Sequence, residues 1–195
     1  MSGQSSINPE YLGPLAGLVG VWLGDAGVDV SPSPSGAVQT SFRERMSFTP
    51  LGPVRNGPQT LYGLNYTTTA WPLDSEAAFH EEVGYWLWDA DRQEVMRCFM
   101  VPRGVTMIAG GKVAADATRF TLAAECGSTT FGILSNPFLN EAFRTVRYDL
   151  HLEMNKDGTF SYHEDTQLLM PAHGSPAGSP QPFHHTDSNH LMRCT

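Results

Sequence analysis

The sequence is poor in charge and in paired sulfur, and it has no long apolar run. Lys and Arg number 12 against 20 Asp and Glu in 195 residues, a formal net charge of -8. Such a field repels phosphate backbones, and the few basic residues are scattered rather than gathered in a stripe, so no nucleic-acid partner is expected. No segment approaches the roughly 18 apolar residues of a membrane span. Residues 1–10 are polar and small, without the basic start and apolar stretch of a signal peptide. These absences predict a soluble, cytoplasmic protein with no membrane partner. Cysteine is scarce and odd in number: Cys98, Cys126 and Cys194 form neither a CxxC pair nor a disulfide framework and read as free structural thiols. HExxH, P-loop and GxSxG sequences are missing. His184, His185 and His190 lack zinc-site spacing.

What the chain does have is punctuation. With 19 Gly, 14 Pro and 41% hydrophobic residues, it suits many short strands joined by turns. Asn8-Pro9-Glu10 has helix-start chemistry and is followed by Tyr11, Leu12, Leu15 and Leu18 at helical spacing. Residues 21–30 read as a first strand and 31–36 as a loop. Phe42, Met46 and Phe48 share one phase of a period-two pattern, with Arg43, Arg45 and Ser47 in the other. Residues 50–58 read as a turn and 61–71 as a strand. Two further apolar runs, 79–88 and Glu94–Val101, flank the hairpin-like Asp89-Ala90-Asp91-Arg92. Strand character resumes over 105–108, 118–124 and 129–134, and Asn136-Pro137 opens a short helix over 137–144. Val146, Tyr148, Leu150, Leu152 and Met154 alternate with polar residues up to a Lys156-Asp157-Gly158 turn. Phe160, Tyr162, Thr166 and Leu168 continue the alternation. A Gly-, Ser- and Pro-rich loop over 171–182 precedes a last strand over 183–193.

The predicted fold is all-β: one domain over residues 1–195, a closed up-and-down antiparallel barrel of about ten strands with one or two short helices and an apolar interior. Closure removes exposed edges, and a barrel of this size has room for a ligand. A β-sandwich is the structural alternative. Trp86 and Trp88 share a phase and read as packing residues. Glu81-Glu82 and His163-Glu164-Asp165 read as a solvated strand face.

Gly20-Val21-Trp22-Leu23-Gly24-Asp25-Ala26-Gly27 resembles the GxWxGxG opening of nitrobindins and related calycin-type, lipocalin-like barrels, with Ala26 where the last Gly would fall. Met46-Ser47-Phe48-Thr49-Pro50-Leu51-Gly52, Phe79-His80-Glu81-Glu82-Val83-Gly84-Tyr85-Trp86 and Val101-Pro102-Arg103-Gly104-Val105 follow in that family's order. Asn136-Pro137-Phe138-Leu139-Asn140-Glu141-Ala142-Phe143 and Phe183-His184-His185-Thr186-Asp187-Ser188-Asn189 resemble a bacterial branch of it. The resemblance implies a fatty-acid-binding-protein-like barrel holding haem b, which binds nitric oxide and isomerises peroxynitrite to nitrate. By the same resemblance, the iron's axial ligand falls on the last strand at His185, with His184 as the alternative. Only one of two successive strand residues faces inward. The likeness also puts His80 on the open side as the catalytic group, with Phe79 and Trp22 as further cofactor contacts. A non-catalytic carrier of a fatty-acid-like or other apolar ligand is the alternative function, because Asp187 and Asn189 offer polar groups for a ligand's head. A third reading is a barrel that has lost its ligand and acts through protein contacts.

Overall fold

The computed structural model describes residues 7–170 and 180–194. Among them eleven strands close into a barrel. In chain order they are β1 (Gly20–Ser33), β2 (Gly36–Asn56), β3 (Gln59–Pro72), β4 (His80–Asp89), β5 (Glu94–Val101), β6 (Val105–Lys112), β7 (Arg119–Cys126), β8 (Gly132–Ser135), β9 (Arg144–Met154), β10 (Phe160–Met170) and β11 (Gln181–Arg193). A 3₁₀ segment, Pro9–Leu18, precedes β1, and a short helix α1, Pro137–Ala142, lies between β8 and β9. Asn8 and Asn136 cap these two pieces, each accepting a backbone N–H through its side-chain oxygen, as their N-cap residue type favours.

Around the barrel the order is β1-β11-β10-β9-β7-β8-β6-β5-β4-β3-β2. Pairing is antiparallel except at β8, which wedges between β6 and β7 and runs parallel to β7. The meander is therefore broken once, and the strands number eleven rather than about ten. Two stretches that read as turns are strand. Residues 31–33 belong to β1 and residues 50–56 to β2, the latter across a register shift between Leu51 and Val54. A bulge tolerates proline because the extra residue leaves the ladder unpaired. The predicted loop over 171–182 lies outside the described residues as far as 179, and its last two residues already belong to β11.

A bulge in β1 decides what faces inward. Buried positions run Trp22, Gly24, then Gly27 and Asp29, because the pairing with β2 shifts register between Gly24 and Gly27. One extra residue flips the phase of everything after it. That shift accounts for the displaced glycine of the motif: a Cβ at Gly27 would lie 2.5 Å from the Phe42 ring, so Gly27, not residue 26, must be bare.

The closed end of the barrel is solid. Trp22 is fully buried, donates its indole N–H to the Leu18 carbonyl at 2.7 Å and stacks edge-on to Phe160. Leu12, Leu15 and Leu18 of the 3₁₀ segment join the same cluster with Leu64, Trp86 and Trp88.

Candidate functional site

Above this plug the inward phase turns polar, which corrects the expectation of an apolar interior. Glu44 of β2, Glu82 of β4, Arg97 of β5, Glu164 of β10 and Asn189 of β11 are all buried. A buried charge persists only when paired and hydrogen-bonded, and the barrel supplies one cation for several acids. Arg97 donates to Glu82 at 2.7 Å and to the Tyr66 hydroxyl at 2.8 Å. It also donates to Glu164 and to the Tyr148 hydroxyl. Its guanidinium carbon lies 4.4 Å from the Phe99 ring centroid and 5.3 Å from that of Trp86, within cation–π range. Glu44 is held differently: it accepts from Thr68 at 2.8 Å, Tyr162 at 2.8 Å and Asn189 at 3.2 Å.

These arrangements set opposite proton affinities. Burial pushes Glu82 up, but Arg97, His80 and Tyr66 more than offset it and bring its pKa to about 2. Glu44 has hydrogen-bond donors but no cation, and burial raises it to about 7. Asp187 of β11 is raised well above the ordinary carboxylate range, first by burial and then by the negative charges of Glu164, Glu44, Glu82 and Asp29.

Over this floor opens a cavity of about 410 Å³, within the usual span of ligand pockets. Its upper walls are largely apolar, among them Phe79, Val101, Val105, Leu139, Phe143 and Leu168. Two imidazoles enter it, each tied to a carboxylate. His185 Nε2 lies 2.7 Å from Asp29 Oδ1, and His80 Nε2 lies 3.0 Å from Glu82 Oε1. For His80, burial disfavours charge, but the hydrogen bond and negative charge of Glu82 prevail and raise its pKa above the ordinary histidine value.

The structure separates the sequence candidates. His185 is on the inner phase with Asp187, Asn189 and Leu191, and both His185 and His80 line the cavity along with Phe79. His184 is on the outer wall, with its side chain 59% exposed and Nδ1 2.7 Å from Asp165, where it cannot reach the interior. Trp22 belongs to the plug at the opposite end and does not line the cavity. Glu82 and Glu164, read as solvated, face inward, whereas Glu81 and His163 remain exposed. The sequence reading missed Arg97, Glu44 and Asp29. The first two were legible, since each is a charged residue in the apolar phase of its strand.

Haem requires a flat apolar slot, an imidazole with a free nitrogen and a cation near the rim for its carboxylates. The mouth provides apolar walls, such an imidazole and such a cation. His185 has Nε2 committed to Asp29, leaving Nδ1 without a partner among the described residues, and a carboxylate on the other ring nitrogen is the usual support of a metal-bound histidine. Arg103, fixed by donating to the Phe79 carbonyl at 2.7 Å, stands at the rim. The donor set therefore fits the group. No cluster of three or more metal-ligating side chains occurs among the described residues, so a bare metal ion has no equivalent site there.

A family model described as the THAP4-like, heme-binding beta-barrel domain matches residues 11–193. Among solved structures, the crystal structure of Rv2717c from M. tuberculosis superposes with a TM-score of 0.63 at 21% identity, covering 97% of this chain and 100% of that one. That likeness speaks for the fold. No curated protein sequence matches the chain.

Proposed function

The chain belongs to the THAP4-like haem-binding β-barrel family, and from that premise we propose that it holds haem b in its mouth on His185 and handles reactive nitrogen species there. The observation that carries the reading is the Asp29–His185 pair, an imidazole pinned by a carboxylate at the top of an apolar-walled cavity. When bound, haem supplies an iron at which nitric oxide binds and peroxynitrite rearranges to nitrate, an isomerisation with no net electron change. The chain's own residues do the rest. Asp29 holds the His185 tautomer. Phe79, Val101, Val105 and Leu168 exclude water from the slot. His80, kept cationic more readily by Glu82, shares its Nε2 proton with that carboxylate and stands ready to donate to an anionic ligand. Three free cysteines suit a reducing compartment, and we retain the cytoplasm as the expected location. Cys194 is exposed rather than packed.

The carrier of a fatty-acid-like ligand is the poorer reading. An interior arginine is the natural anchor for a lipid carboxylate, and here Arg97 is already paired with two glutamates. Asp187 and Glu44 supply no cation in its place.

Supplying haem to the purified protein is expected to give a Soret band that His185→Ala abolishes and His184→Ala leaves in place. A wild type without a band defeats the haem reading; a band that survives His185→Ala defeats the ligand assignment. Asp29→Asn is expected to weaken haem retention by about 10–100-fold, the usual effect of removing an outer-shell partner, measured by haem transfer to a competing acceptor. Nitrate yield from peroxynitrite, compared between wild type and His80→Ala at several pH values, tests the finer claim; equal yields would refute a role for His80.

A further inference from the structure

A line of oxidisable rings runs from the cavity floor through the plug to the closed end of the barrel. Tyr66 of β3 lines the cavity, and its ring centroid lies 6.2 Å from that of Trp86 on β4, edge to face. Trp88 follows two residues along β4 on the same face, its Cα about 7 Å from that of Trp86 by strand rise. Tyr62 of β3 stands directly opposite Trp88 and packs against the same core. Tyr11 of the 3₁₀ segment stacks on Tyr62 at 4.8 Å and is 53% exposed. Trp22, by contrast, lies behind Phe48 and Phe160, whose rings give up electrons far less readily than indole or phenol.

We propose that this line carries single electrons inward, from a soluble thiol at Tyr11 to a nitrogen dioxide radical in the cavity. The inference rests on the reading above, which brings reactive nitrogen species to that cavity, and adds a reductive activity reached from the opposite end of the barrel. In the first step Tyr66 gives one electron to nitrogen dioxide, which becomes nitrite. The Tyr66 hydroxyl proton passes to Glu82 Oε2, 2.6 Å away. Glu82 holds a proton weakly in the resting fold, but a phenol that has lost an electron is a far stronger acid than a carboxylic acid. Trp86 then gives an electron to Tyr66, and the proton returns from Glu82. Trp86 passes the electron deficit on instead of keeping it. Its buried indole N–H has no hydrogen-bond partner among the described residues, so no acceptor takes the proton whose loss would trap a radical there. The Arg97 guanidinium, 5.3 Å from the Trp86 centroid and 5.2 Å from that of Tyr66, repels the positive deficit and favours its movement outward. Trp88 and Tyr62 hand the deficit to Tyr11, which loses its proton to water. A thiol then donates a hydrogen atom to Tyr11 and leaves as a thiyl radical. In sum, one thiol and one nitrogen dioxide give one thiyl radical, one nitrite and one proton.

The test treats the haem-loaded full chain with peroxynitrite, which yields nitrogen dioxide as it decomposes, in the presence of a nitroso spin trap. Peptide mass spectrometry then locates trapped and nitrated tyrosines. Direct attack from solvent labels Tyr11 equally in every variant, so the share carried by the line is the difference between them. Trp86→Phe and Trp88→Phe keep an aromatic ring but break the line; in each, label is expected to fall at Tyr11 and to rise at Tyr66, where the radical is stranded. Trp22→Phe, off the line, is expected to match the wild type. A wild type that takes up no haem, seen as a missing Soret band, defeats the reading on which the proposal rests. Among loaded proteins, a Tyr11 label that survives both line-breaking substitutions overturns the proposal alone, as does an equal loss of that label in Trp22→Phe.

Discussion

Replacing Arg97 with Met is expected to cost about 3–5 kcal/mol of folding stability at neutral pH, the usual penalty for removing one partner of a buried ion pair. The size comes from what is left behind rather than from what is lost. Arg97 is 2% exposed and is the only lysine or arginine side chain within ion-pair distance of Glu82 and Glu164 among the described residues. Without it, two buried carboxylates lose their shared cation, with Glu44 and Asp187 nearby. The Tyr66 and Tyr148 hydroxyl oxygens lose the donor they accept from as well. Methionine fills part of the volume, so a cavity contributes little and the charge effect dominates. The origin can be checked by neutralising the acids. Glu82→Gln and Glu164→Gln combined with Arg97→Met should recover most of the loss, since a neutral trio leaves no unpaired charge. Urea unfolding of wild type, Arg97→Met and the neutral trio measures both effects. If Arg97→Met falls within about 1 kcal/mol of wild type, or if the neutral trio is no more stable than Arg97→Met alone, the Arg97 network is not what holds the barrel's middle together.

How far this network could be foreseen depends on the strand. On β2 the alternation of Phe42, Met46 and Phe48 already put Glu44 in the buried phase, and on β5 the run Val95, Phe99, Val101 did the same for Arg97. A charge at such a position predicts a buried partner on another strand, but period-two patterning does not say which one, because that depends on barrel closure. Barrel closure and the short helix at Pro137 follow from local pattern and turn chemistry, and the structure agrees with them. His185 comes instead from the family likeness, and its shared phase with Asp187, Asn189 and Leu191 does not by itself say which face is inward. Asp29 did not follow. Counting by twos from Trp22 puts residue 29 on the outside, and only the bulge between Gly24 and Gly27 turns it inward to His185. Val146 fails in the same way on β9. A register shift opposite Gln167 and Leu168 gives the inward place to Thr145, which is buried, before Tyr148 resumes the phase. Bulges are one-residue insertions in an otherwise uniform pattern, and their signature here was a single displaced glycine. The β8 wedge escaped because four residues are too few to show a period.

The pH dependence of stability should run opposite to that of a protein held by ordinary salt bridges. Glu44 has a folded pKa of about 7 against an ordinary value of 4.5, so the native state binds its proton more tightly than the unfolded chain does. Its contribution is complete below about pH 4.5 and is lost as pH rises through 7, a difference of about 3 kcal/mol at 1.36 kcal/mol per pH unit. Asp187, raised for the same reason, acts in the same direction. Glu82, lowered to about 2, has the reverse sign: its stabilisation is present above pH 4.5 and fades as pH falls toward 2. The two windows meet without overlapping, so the urea midpoint is expected to peak near pH 5 and to decline toward pH 8. Glu44→Gln should remove much of that decline and Asp187→Asn a further part, because each replaces a carboxylate that resists ionisation with a neutral isostere. Neither change should alter the loss below pH 4, which belongs to Glu82. A midpoint that is level between pH 5 and 8 in the wild type, or a decline untouched by both substitutions, would show that these acids ionise freely in the fold and that the cavity floor is wetter than its geometry implies. The outcome also bears on ligand choice. A floor that holds the Glu44 proton up to about pH 7 and raises Asp187 in the same direction presents less negative charge to the mouth above it, so an anion approaching His80 would then meet a weaker opposing field from below.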